Sequence, residues 1–144
     1  MRVFLLALVV LMLLGGCRAQ DDFTSENKSS SIRPTKAEAL PQLDAGKLED
    51  LARYEGKWVS VRGKVHSTHL ANSKKVFTLN LGPDWRTCFK VAIFQDAFEK
   101  WDDEVSGIKS MYEGKTMTVE GELRMYRGNP EITVRVPSQI QVVN

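Results

Sequence analysis

Few residues in this chain are of a type and spacing that could do chemistry. His66 and His69, in the stretch HSTH, stand three positions apart. Two imidazoles can share a metal ion, but no carboxylate or thiolate stands beside them to complete a ligand set, so they read as solvated loop histidines. Clustered carboxylates occur in EKWDDE, from Glu99 to Glu104, where helical or turn spacing spreads them over a solvated face. No glycine-rich phosphate loop and no nucleophile elbow is present. Cys88, within RTCFKVAIF, belongs to an alternating apolar run and reads as a small buried hydrophobe, not a nucleophile. The chain is therefore not expected to be an enzyme, and neither a metal nor another cofactor is implied. Tyr126 and Arg127 offer a different chemistry beside the turn Gly128-Asn129-Pro130. The ring can stack on a planar group, and the guanidinium can neutralise an anion.

A series of strands must position that pair. In KWVSVRGKVHS one face carries Val59, Val61 and Val65 with Gly63 in register, and the other carries Ser60, Arg62, Lys64 and His66, which is the period of a half-buried strand. VFTLNLG turns Phe77, Leu79 and Leu81 inward, and CFKVAIF does the same with Phe89, Val91 and Ile93. From Gln95 to Tyr112 the period changes. Phe98 and Trp101 fall on one helical face and the pattern breaks at Gly107, so one helix or two short ones are expected. KTMTVEGELRMYR returns to alternation with Met117, Val119, Leu123 and Met125 inward. EITVRV then comes back across the turn with Ile132, Val134 and Val136 inward before Pro137 interrupts. Gly128 and Asn129 are the residues of that turn that tolerate a positive φ. Ahead of the first strand, Leu48, Leu51 and Tyr54 form one helical stripe, suited to packing on the end of a barrel.

Three strands, a helix and two more strands, with Gly63 and Gly121 in the middle of the first and fourth where a strand must bend, follow the order of an OB-fold. The expected class is all-β with a small α contribution. It is a five-stranded Greek-key barrel with a helix between strands three and four and a short N-terminal helix. OB barrels bind ligands on the outer face of strands two and three and on the loops joining strands one-two and four-five. The face holds Thr78, Asn80 and Lys90; the first loop holds His66, His69, Lys74 and Lys75; the second holds Tyr126, Arg127 and Asn129. The residues expected to bind ligand are His66, Lys74, Lys75, Lys90, Tyr126 and Arg127, a basic set with one aromatic. From Trp58 onward twelve Lys/Arg face ten Asp/Glu, a balance far from that of strongly basic domains that grip phosphate chains.

The N-terminus supplies an address. After Met1-Arg2, VFLLALVVLMLL runs for twelve apolar residues and meets Gly15-Gly16-Cys17. Charge, length and the small-residue end make this a secretory signal peptide. A spanning helix would need about 20 apolar residues. Leu14-Gly15-Gly16-Cys17 resembles the lipobox of bacterial lipoproteins. The resemblance implies cleavage after Gly16, a thioether-linked diacylglycerol on Cys17, and anchoring of the mature chain to a membrane of the cell envelope. Arg18 in the second mature position implies the outer membrane, facing the periplasm, in a Gram-negative cell. Once Cys17 is lipidated Cys88 has no partner for an intramolecular disulfide. From Arg18 to about Pro41 the chain is polar and serine-rich, without apolar periodicity, and reads as a flexible tether. The expected organisation is a signal peptide at 1–16, a lipidated tether at 17–42 and an OB-fold domain at 43–144.

Over about residues 54 to 144, YEGKWVSVRGKV, FKVAIF and YEGKTMTVEGELRMYRGNPEITVRVPSQIQVV resemble the nucleic-acid-binding OB domains related to the anticodon-binding modules of class II tRNA synthetases. That resemblance implies a noncatalytic module binding single-stranded nucleic acid or another polyanion. The alternative is an adaptor that uses the same barrel face to dock an envelope protein. The expected partners are thus the membrane through the N-terminal lipid and either a nucleic-acid strand or an envelope protein, with no small-molecule cofactor.

Overall fold

The computed structural model describes residues 39–101 and 105–144. The expected signal peptide, Cys17, most of the expected tether and positions 102–104 of the carboxylate cluster lie outside the described residues. In chain order the elements are β1 (Gln42–Asp44), α1 (Leu48–Ala52), β2 (Trp58–Lys64), β3 (Ser67–Leu70), β4 (Val76–Asn80), β5 (Lys90–Phe94), α2 (Gln95–Phe98), α3 (Val105–Tyr112), β6 (Thr116–Tyr126), β7 (Asn129–Val134), a 3-10 turn (Pro137–Gln139) and β8 (Ile140–Val143).

Pairing converts these pieces into a barrel. β2 pairs antiparallel with β6, and β3 pairs antiparallel with β4, so one nearly continuous stretch of chain, interrupted at Val65-His66, joins both ends of the sheet. The hydrogen-bonded order β2-β6-β7-β5-β4-β3 closes through that stretch. β5 and β7 run parallel, and the other neighbours in the ring are antiparallel. With β2 and β3 counted as one bent strand, five strands form a closed Greek key, which is the OB-fold topology. Closure hides the ring's strand edges and its apolar face together.

The inward positions are those expected from the alternation. Val59, Val61, Leu79, Phe89, Val91, Ile93, Met117, Val119, Leu123, Ile132 and Val134 are all 0% exposed. Each such burial contributes about 1.5 to 3 kcal/mol relative to exposure. Met125 and Val136, also expected inward, are half-buried near the ends of their strands. α1 sets Leu51 fully into the core, with Leu48 and Tyr54 packed partly against it, as their shared stripe requires.

Between the third and fourth barrel strands the chain forms two short helices, α2 and α3. Ala97, Trp101, Ile108 and Tyr112 are buried there, and Trp101 Nε1–H donates to the Tyr112 hydroxyl at 3.1 Å. Both polar handles are thus satisfied inside the core. α3 runs through Gly107 without ending there, contrary to the sequence expectation. Glycine costs a helix roughly 1 kcal/mol relative to alanine, which is less than burial of the neighbouring Ile108 returns.

Two further differences come from contacts that periodicity does not encode. β1 pairs parallel to β2 across the boundary between the expected tether and domain, beginning at Gln42, and three residues are too few to display an alternation. Gly63 makes room for it: a Cβ there would lie 2.5 Å from Ala45 Cβ, so glycine serves close approach. At Gly121 an added Cβ would strike Ile132 Cγ2. This glycine also stands where β6 exchanges one neighbour for another, pairing with β8 through Val119 and with β7 from Leu123. Gln139 fills the gap between those neighbours. Its Oε1 accepts from the Arg135 and Val136 N–H groups at 2.9 and 3.3 Å, and its Nε2 donates to the Glu120 carbonyl at 2.9 Å. Backbone groups left over by the change of partner are thereby paired.

Candidate functional site

The outward positions of β3, β4 and β5 form the floor of a groove of about 810 Å³. Registers set its rows. Ser67, Asn80, Lys90 and Glu131 are successive cross-strand neighbours from β3 to β7, and His69, Thr78 and Ala92 form the next row. Val76 and Phe94 face each other at one end. Asn80 is 4% exposed and its Nδ2 donates to Ser67 Oγ at 3.1 Å, which holds this polar row in place.

The other end carries a rim built from two loops. In the β4–β5 loop, Asp84 accepts the Arg86 N–H at 2.9 Å and the Thr87 hydroxyl at 3.3 Å, an Asx-type turn that presents Trp85 at 56% exposure. Arg86 lies over the Trp85 ring, its guanidinium carbon 4.7 Å from the centroid, with the Lys90 ammonium 6.0 Å from it. In the β6–β7 hairpin, Tyr126 pairs with Asn129 across the two-residue loop Arg127-Gly128. Both loop residues have positive φ, 50° and 81°, the requirement of a type I′ turn. The turn is thus centred one residue earlier than the Gly128-Asn129 placement expected from sequence, because Asn129 already belongs to β7. Holding a non-glycine residue left-handed costs about 1 to 2 kcal/mol. In this turn Arg127 lies beside the Tyr126 ring, its guanidinium carbon 5.3 Å from the centroid.

The two loops are joined. Asn129 Nδ2–H donates to the Arg86 carbonyl at 2.8 Å. Electrostatically the groove is mixed: Lys90 and Arg127 face it, and so does Glu131. Burial pushes the Glu131 carboxyl above its ordinary range, and neighbouring Lys90 offsets part of that rise. Burial likewise raises the Cys88 thiol, which is 3% exposed and free, in keeping with an unreactive core cysteine.

Of the residues expected to bind ligand, Lys90, Tyr126 and Arg127 come together in this groove, with Thr78, Asn80 and His69 beside them. His66, Lys74 and Lys75 are exposed and lie outside its lining. His66 stands at the joint between β2 and β3, and the two lysines at the tip of the β3–β4 turn. Trp85, Phe94 and Glu131 line the groove but were absent from that expectation. Phe94 and Glu131 carried a signal, since each stands next to a core residue on the opposite phase of its strand. Trp85 carried a weaker one, a large aromatic in the turn Pro83-Asp84-Trp85. Among the described residues, three of the four exposed large hydrophobics line this groove, Phe94 at one end and Trp85 and Tyr126 at the other, the fourth being Val142. An exposed apolar gathering of this kind marks an interaction site.

No family model matches the sequence and no curated protein is similar to it. The folded part is similar to solved structures. The Stn1-Ten1 complex of S. pombe aligns with TM-score 0.44 and 16% identity over 60% of this chain and 58% of that one. The asparaginyl-tRNA synthetase of Entamoeba histolytica, in complex with asparaginyl-adenylate, aligns with TM-score 0.48 and 19% identity over 74% of this chain. An OBody, AM1L10, bound to hen egg-white lysozyme aligns with TM-score 0.46 and 16% identity over 80% of this chain and 98% of that one. The chain spans 24% of the synthetase's length. The OB-fold assignment itself stands on the closed strand order.

Proposed function

We propose that this protein is a noncatalytic OB-fold module that binds single-stranded nucleic acid in the groove over β3, β4 and β5. One observation carries the reading: exposed Trp85, Phe94 and Tyr126 line one groove along a single sheet face with Lys90 and Arg127, and Arg86 stacks on Trp85 at its rim. Single-strand binders join aromatic platforms to a cationic groove, each stacked base contributing about 1 to 3 kcal/mol. With three cations at the groove, aromatic stacking carries more of the affinity than phosphate neutralisation does. The groove's neutral and acidic neighbours suit a short strand whose bases lie inward.

We place this module at a membrane of the cell envelope, held by lipid on Cys17. The motif Leu14-Gly15-Gly16-Cys17 supports that reading. The full chain, expressed in a bacterium and solubilised in detergent, can be titrated into a labelled oligothymidylate while anisotropy is followed at two salt concentrations. Binding whose log affinity falls with log salt at a slope of about −2, as roughly three phosphate contacts give, supports the proposal. Absence of binding, together with an envelope protein that co-purifies stably, would replace it by the adaptor reading.

A further inference from the structure

We infer that Asn129 is the positioning residue of this groove, setting the Trp85 platform against the Tyr126 platform through its bond to the Arg86 carbonyl. The inference rests on the single-strand reading above and concerns how that site is held ready.

Trp85 stands in the β4–β5 loop and Tyr126 at the end of β6, on neighbouring connections: β5 and β7, the strands that leave them, pair in parallel from Lys90 and Glu131 onward, but among the described residues no backbone bond joins the two tips themselves. The β4–β5 loop is internally braced by Asp84, which accepts the Arg86 N–H and the Thr87 hydroxyl. That fixes the shape of its tip, while the ladders of β5 with β4 and β7 hold only its base. Asn129 is held by β7, directly opposite Tyr126 in the ladder with β6. Its amide bonds to the carbonyl of Arg86, a residue 43 positions away in sequence. The peptide units on either side of Arg86 are consequently both held, one by Asp84 within the loop and the other by the hairpin that carries Tyr126. Asn129 donates here, and its geometry, 2.8 Å from nitrogen to oxygen, is that of a well-formed bond.

An exposed neutral hydrogen bond adds little to folding, because water replaces it readily. Its effect on binding is larger in proportion. Platforms already in place need not be ordered when the strand arrives, and each side chain left to be ordered weakens binding measurably. Asn129 is therefore spent on the protein itself and not on ligand, although its place in the second ligand loop marked it as a possible contact.

The test uses the full chain in detergent, a labelled oligothymidylate as probe, and Asn129→Ala and Asn129→Asp. Aspartate keeps the shape but cannot donate, so both variants should bind about five- to tenfold more weakly than wild type. Their unfolding midpoints should stay close to wild type. In a Trp85→Ala background the further loss on Asn129→Ala should shrink below about twofold, since the residue acts through that ring. Trp85 is the exposed tryptophan, so its freed loop should also add a fast component to the tryptophan anisotropy decay. Equal losses in both backgrounds, wild-type binding by Asn129→Asp, or an unchanged decay would each overturn the inference. If wild type binds no strand, the single-strand reading fails, and the anisotropy decay still decides whether Asn129 braces the loop.

Discussion

Lys74 and Arg127 are both basic residues at hairpin tips, and both have left-handed backbones, φ 56° and 50°. The β3–β4 tip that carries Lys74 is held by backbone bonds: the Lys74 N–H reaches the Ala71 carbonyl at 2.7 Å, the Ala71 N–H reaches the Val76 carbonyl at 2.9 Å, and the Gln95 N–H, beyond β5, reaches the Lys75 carbonyl at 2.8 Å. The β6–β7 tip that carries Arg127 is tied sideways as well, through Asn129 to the β4–β5 loop, and so roofs a groove together with Trp85. Charge and local conformation are alike in the two tips. What separates them is the side-chain tie from Asn129 to the other rim loop: Arg127 lines the groove, whereas the first tip lends it Ala71 and Ser73 and keeps Lys74 outside.

The largest expected effect treats both tips alike. Phe77→Ala beneath the first and Leu123→Ala beneath the second remove side chains that are 2% and 0% exposed. Each should lower stability by about 2 to 5 kcal/mol in urea unfolding. A loss confined to one hairpin would mean that the two do not share a core.

Binding should then part them. Trp85→Ala or Tyr126→Ala should weaken oligonucleotide binding by about 1 to 3 kcal/mol, with stability changed by less than about 0.5 kcal/mol. Lys74→Ala should leave the bound strand's stacking intact and alter only the salt dependence.

Glycine at either tip relieves left-handed strain. Lys74→Gly and Arg127→Gly should therefore each gain up to about 1 kcal/mol of stability at most, the larger entropy of an unfolded glycine taking back part of it. Only the second should lose affinity. Equal affinity losses from the pair would erase the distinction drawn between the hairpins.

The smallest effect concerns Glu131. Its carboxyl is raised by burial in the groove, so the folded chain holds that proton more tightly than the unfolded chain does. The stability this provides is fully present below the unfolded value and is lost as pH rises through the folded one. Glu131→Gln should flatten that decline and, near neutral pH, unfold slightly later than wild type, by a few tenths of a kcal/mol, about 0.3. Denaturant midpoints across the acidic range measure it.

The barrel was legible in the sequence because a closed sheet writes its inner face as strict alternation. Val59, Val61, Leu79, Val91, Val119, Leu123 and Val134 all read correctly for that reason, and all are fully buried in one core. β1 did not read, since its partner β2 supplies its reason to exist. Gly107 misled because tertiary burial of Ile108 and Tyr112 outweighs its local preference. That Lys90, Tyr126 and Arg127 share one groove followed from the barrel's geometry. Lys74 and Lys75 were placed with them by loop membership alone, and loop membership does not say which side of a turn a groove occupies. Trp85 was missed because its setting depends on Asp84 within its own loop and on Asn129 from another.

The most direct measurement compares two paired variants of the full chain in one salt titration against a labelled single strand. One lacks Trp85 and Tyr126 and the other lacks Lys74 and Lys75, each replaced by alanine. The account predicts that the first loses at least about 2 kcal/mol of binding at both salt concentrations, while the second stays near wild type at the higher salt and weakens modestly at the lower. Similar losses in the two, or a larger loss in the lysine pair, would contradict the claim that this groove is where the protein binds.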